Sequence, residues 1–141
     1  MPSMNPDFLD AHHRHWDDAE RLFEASRWAN ADHLYGMSVE CGLKRLMIAF
    51  GMPLTTSGDP KRDIDRVHAD QAWIRYETYR SGHPGGAGYS LPTTNPFATW
   101  HISQRYAHQS NFDQSHTNIH RNGAAIVRGL VQKALIEGLV V

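Results

Sequence analysis

The stretch NADHLYGMSVECGLKRLMIAF, residues 30–50, decides the fold. Ala31, Leu34, Tyr35, Ser38, Cys41, Gly42, Leu46, Ala49 and Phe50 recur at helical steps and trace a wide face of apolar or small side chains. A face that wide predicts a central, mostly buried helix. Gly51 and Pro53 mark its end, a glycine past the last turn and a proline beyond it. In its middle stand Glu40 and Lys44, four residues apart in the favourable order for an ion pair. Solvated, such a pair contributes only ~0.2–0.5 kcal/mol. Buried or half-buried, it would tie this helix to a partner.

Working outward, Asp7 is the expected N-cap of a helix over 7–27. Phe8, His12, His15, Ala19, Leu22, Phe23 and Ser26 share one stripe there, with charged residues between them. The link SRWAN leads into the quoted segment. PLTTSGDPKR (53–62) reads as a loop, and Ile64, Val67, Trp73, Ile74, Tyr76 and Tyr79 predict a third helix over 63–81. SGHPGGAGYSLPTTNP (81–96) is too rich in Gly and Pro for regular structure, so a long loop over 82–96 crosses the surface. FATWHISQRYAH forms a short aromatic-rich element. Phe112, His116, Ile119, Gly123, Ile126, Val127, Leu130 and Ala134 then predict a last helix over 112–138. The expected fold is an all-α, up-and-down four-helix bundle forming a single domain over 1–141.

The 141 residues suffice for a core without staples, and 40% apolar with 21% charged residues is ordinary globular composition. A formal net charge of −1 argues against a broad nucleic-acid coat but leaves room for a local basic site. No apolar run is long enough to span a membrane, and MPSMNPDFLD lacks the features of a secretory leader. Cys41, the single cysteine, has no internal partner and reads as core packing. A cytoplasmic location is expected.

Two segments together resemble HEPN proteins (higher eukaryotes and prokaryotes nucleotide-binding). HWDDAERLFEASRWANADHLYGMSVECGLKRLM (15–47) is similar to the first two helices of that family, and NPFATWHISQRYAH (95–108) to the segment before its last helix. The resemblance implies a HEPN-like helical bundle, usually dimeric, in which Glu40 and Lys44 are a structural polar mark of the second helix. Many HEPN proteins are metal-independent endoribonucleases with an arginine and a histidine slightly more than one helical turn apart. The resemblance places Arg105 in the arginine's position. His108 follows after only two residues, His116 lies too far on, and Ser110 and Asn111 stand where the usual histidine would fall. The motif is therefore degenerate, although Arg105 and His108 would share a face if they lay on a helix.

Cleavage by a 2′-hydroxyl needs a proton acceptor near neutral pH, which histidine supplies, and a planar cation on the phosphate, which arginine supplies. The candidate catalytic pair is Arg105 and His108, with His101 and Asn111 as nearby polar support. Arg62 and His68 have suitable spacing but stand outside the matching segment. Among the ten histidines, His116 and His120 lie four apart and His12 and His15 three apart. A zinc site needs a third ligand, and His-Glu-x-x-His is absent, so neither metal nor cofactor is expected. GHPGGAG is no phosphate loop, lacking the following lysine and a preceding strand. Trp16, Trp28, Trp73 and Trp100 could stack on bases but fit core or interface anchors better.

The leading expectation is an RNA- or nucleotide-directed HEPN-like protein, an endoribonuclease of a toxin–antitoxin or other conflict system. The alternatives are a non-catalytic module that binds a cognate protein, such as an antitoxin, an immunity protein or their toxin, and a helical dimerisation scaffold. A homodimer through the last helix and the Arg105 region is expected, since Leu135, Leu139 and Val140 extend beyond that helix's main stripe.

Overall fold

In the computed structural model, which describes residues 4–141, Asp7 caps the first helix, its carboxylate accepting from the Asp10 amide at 3.0 Å. Met1, Pro2 and Ser3, on which part of the leader expectation rests, lie outside the described residues. Four α-helices carry the fold: α1 (Phe8–Glu24), α2 (Trp28–Ala49), α3 (Ala69–Ser81) and α4 (Gln114–Ile136). Among the described residues there is no strand, only an isolated bridge between Leu54 and Pro60. No described helix is long and apolar enough to cross a membrane.

The quoted stretch is the central element, for α2 packs against α1, α3 and α4. Tyr35, Val39, Leu43, Leu46 and Met47 are fully buried along it. Small residues let α1 come close. A Cβ on Gly42 would lie 2.7 Å from the His12 ring, and the Ser38 hydroxyl donates to the His12 carbonyl at 3.0 Å. The link between the two helices turns at Ser26, whose φ of 58° is left-handed. There the Arg27 amide reaches the Leu22 carbonyl at 2.8 Å, closing α1 in the way glycine usually permits. Gly51, φ 99°, closes α2 by the same geometry, with the Met52 amide on the Met47 carbonyl.

The third helix starts later than the sequence suggests. Residues 63–65 form a 3-10 turn, and α3 begins only at Ala69. The cause is Asp65. Its buried carboxylate accepts from Arg75 Nε at 2.7 Å and from the Tyr79 hydroxyl at 2.5 Å. In one continuous helix, residues 65 and 75 would stand ~15 Å apart along the axis. The chain therefore doubles back before α3, and Ile64 and Ile74, expected in its apolar stripe, are exposed. The Gly/Pro loop is pinned more firmly than a surface crossing. Tyr89 is buried, the Tyr76 hydroxyl donates to the Tyr89 carbonyl at 2.7 Å, and Lys133 Nζ donates to the Gly88 carbonyl at 2.7 Å.

The segment before α4 is a run of 3-10 turns, Pro96–Thr99, Ile102–Tyr106 and Gln109–Asn111, wedged between α2 and α4. Two glycines make room for it. A Cβ on Gly36 would lie 2.0 Å from Trp100, and one on Gly123 2.7 Å from Phe97. Trp100 is fully buried and donates to the Asp32 carbonyl at 3.1 Å. α4 then starts at Gln114, capped by Asp113. Its buried face is Thr117, His120, Gly123, Ala124, Val127, Val131 and Ala134, rotated from the stripe expected, so Ile119 and Ile126 are exposed. Val140, expected at an interface, is fully buried, and Leu135 and Leu139 pack on this chain's own core.

Candidate functional site

A cleft of about 450 Å³ lies between the N-terminus of α2 and the turns that precede α4. One wall is Ser26, Arg27, Trp28, Ala29 and Asn30, and the other runs from Gln104 to Phe112 and includes Arg105 and His108. Among the described residues, no carboxylate lines it. α2 begins without a side-chain cap and with no acidic residue in its first turn. The first turn of a 22-residue helix thus lines the cleft together with Arg27 and Arg105. Helix N-termini carry partial positive charge and unpaired donors, so the local field favours an anion.

The two arginines remain available. Among the described residues, arginine–carboxylate bridges are made by Arg14, Arg66, Arg75, Arg80 and Arg121, and neither Arg27 nor Arg105 joins them. Arg105 rests over the Tyr106 ring at 4.8 Å, and Tyr106 is 79% exposed. The charge of Arg105 reaches inward to His33, which burial first and that charge second hold below the ordinary histidine range.

Arg105 and His108 do not share a helix. Arg105 lies near the end of one 3-10 turn, His108 caps the start of the next, and Ala107 between them is extended. The reason is Gln104, whose amide donates to Asp32 Oδ1 at 2.5 Å and holds the first turn on α2. The pair still meets at the cleft, by a route other than helical spacing. His108 Nδ1 faces the Ser110 amide at 3.1 Å and the Ser110 hydroxyl at 2.9 Å. An amide can only donate, so neutral His108 carries its proton on Nε2. Nε2 is then the ring's donor. Asn111 donates to the His108 carbonyl at 2.9 Å, while exposed His101 stands 3.5 Å from Asp70. Neither is a lining residue of the cleft.

Glu40 and Lys44 are buried and 3.0 Å apart, and Glu40 also meets His68 Nδ1 at 2.7 Å, which ties α2 to the start of α3. That engages His68, while Arg62 is an exposed residue before a 3-10 turn. Burial pushes the Cys41 thiol up to about 12, and lowers His12 to about 4. Trp73 and Trp100 are core anchors, whereas Trp28 lines the cleft.

His116 and His120 meet a third partner that the sequence reading did not find. Asp32 is fully buried, with its Oδ2 at 2.7 Å from His120 Nδ1 and 3.7 Å from His116 Nε2. Asp32 could have been noticed as a carboxylate that, unlike Glu40, has no basic residue four positions on in an apolar helix; Arg27 and Gln104 left no such mark.

The geometry defines a class, an all-helical protein with a cationic, carboxylate-free cleft at a helix N-terminus. Compared with family models, curated proteins and solved structures, the chain matches none.

Proposed function

We propose that this chain is a HEPN-like antiparallel bundle that binds the phosphate of an RNA or nucleotide in the cleft. The observation that carries the reading is the convergence of Arg27, Arg105 and the uncapped start of α2 on one space without a carboxylate. Arg105 is the phosphate fork, since a guanidinium presents paired donors to two oxygens at once. Neutral His108 adds its Nε2 proton as a further donor. Trp28 and Phe112 in the walls, with exposed Tyr106 beside Arg105, offer ring faces on which bases can stack. The volume lies within the range of small-ligand sites.

Binding is better supported than cleavage. A general base needs a free lone pair, and in neutral His108 the only lone pair is on Nδ1, where it accepts from the Ser110 amide. A nuclease on this scaffold would have to turn His108 away from Ser110. A second copy of the chain would complete the dimer that the resemblance implies, and exposed Ile119 and Ile126, seven residues apart on α4, are the surface that supports it.

The test is a titration of fluorescent single-stranded RNA against wild type, Arg105→Ala and Arg105→Lys, with intact RNA followed in the same samples. Salt-sensitive binding by wild type, lost in the alanine variant and weakened in the lysine variant, is the expected result. Equal binding by all three would overturn the reading.

A further inference from the structure

Behind the cleft, on the other side of Gln104, the fold brings together three metal-ligating side chains from two helices. We infer that Asp32, His116 and His120 form a site for one divalent ion of the zinc class. His116 and His120 are one helical turn apart on α4, and Asp32 faces them from α2. Their nearest ligand atoms all lie within 4.8 Å of one another.

The distances come close to those of a small bound ion, with His120 hydrogen-bonded to the carboxylate and His116 not. In a tetrahedral site with ~2.0–2.1 Å bonds, neighbouring ligand atoms stand about 3.3 Å apart. Asp32 Oδ2 lies 3.7 Å from His116 Nε2 and 2.7 Å from His120 Nδ1, one distance slightly wider than that and one slightly narrower. At 3.7 Å, His116 makes no hydrogen bond to this oxygen, yet it faces the same point as His120. A shift of about half an ångström would bring both nitrogens to ligand spacing.

The surroundings hold the ligands as metal sites require. Asp32 Oδ1 accepts from Gln104, which leaves Oδ2 to face the histidines. His120 Nε2 stands 3.0 Å from the Thr99 hydroxyl, and the Phe97 ring stacks on the imidazole at 5.1 Å. A neutral His120 that donates from Nδ1 to the carboxylate accepts from the Thr99 hydroxyl at Nε2. On binding, the Nδ1 proton moves to Nε2 and the Thr99 hydroxyl turns to accept it. The ion takes the freed lone pair on Nδ1, and His120 stays neutral. His116 is about one-third exposed, which leaves one side of the ion open to water. Two nitrogens and one oxygen, with an open position, suit zinc or cobalt rather than magnesium or calcium.

The inference does not rest on the phosphate reading, because it can be tested without RNA. Full-length protein is stripped with a chelator and titrated with Co(II), following its d–d absorption, and bound Zn(II) is counted by elemental analysis. One ion per chain is expected, with a Zn(II)-dependent rise in melting temperature. His116→Ala, whose side chain is partly exposed and whose fold is checked by circular dichroism, should bind at least 100-fold more weakly and lose that rise. Thr99→Ala should weaken binding about 10-fold, within the usual effect of removing a partner of a ligating histidine. Wild type without a stoichiometric ion, or His116→Ala binding as wild type does, would overturn the inference.

Discussion

His108 Nδ1 lies 3.1 Å from the amide nitrogen of Ser110, and this contact sets the chemistry of the imidazole. The amide supplies a proton and the ring supplies the lone pair, so Nε2 carries hydrogen in the neutral form. On the phosphate-binding reading proposed above, His108 would add a donor to the phosphate rather than accept a proton from a hydroxyl.

His108→Ala should therefore weaken RNA binding modestly, by the ~0.5–1.5 kcal/mol of one hydrogen bond, and leave any cleavage rate unmoved. A loss of 10²–10⁴-fold in a measured cleavage rate, with binding intact, would instead mark His108 as a proton-transfer group. Single-turnover assays beside equilibrium titration separate the two.

The buried pair in α2 makes a stability prediction. Lys44 removed to alanine leaves Glu40 in the core with only half-exposed His68 beside it. Breaking one partner of a buried pair costs about 3–5 kcal/mol, and Glu40→Ala strands Lys44 in the same way. His68→Ala should cost less than about 1 kcal/mol, because its side chain is solvent-screened. Urea denaturation of the three variants gives the order, and near-wild-type Glu40→Ala and Lys44→Ala would show that the pair contributes nothing to the link between α2 and α3.

Acid should weaken the fold through His12. Burial lowers this histidine from 6.5 to about 4, while its Nδ1 stays engaged with the Ser38 carbonyl at 2.8 Å. As pH falls, the unfolded chain takes the proton first. The contribution is full above pH 6.5 and is lost as pH falls toward 4, by up to about 3 kcal/mol. Denaturation midpoints measured from pH 7 to 4 should fall less in His12→Phe than in wild type. An identical slope in both proteins would remove His12 from the account.

The helical architecture was legible because residues 30–50 carry a wide apolar face bounded by Gly51 and Pro53, and the caps at Asp7 and Gly51 sit where local chemistry puts them. The start of α3 was hidden, since the interactions of Asp65 with Arg75 and Tyr79 span 10 and 14 residues and leave no periodic trace. The face of α4 was misjudged because isoleucine counts as apolar wherever it points, whereas Gly123 is buried for the sake of Phe97. Arg105 and His108 entered as candidates through resemblance alone. Arg27 and Asp32 entered only when α2 was set against the turns before α4, a contact some seventy residues long in sequence, as the Asp32–Trp100 bond shows.

On the reading proposed above, the cleft at the start of α2 receives a phosphate. The most direct measurement is a two-dimensional amide NMR titration of isotope-labelled protein with a nucleoside monophosphate, compared with the nucleoside alone. We expect the largest phosphate-dependent shifts at the Trp28, Ala29 and Asn30 amides and the Arg105 side chain, all abolished in Arg105→Ala. Shifts centred elsewhere, or none at concentrations that saturate a millimolar site, would contradict the account.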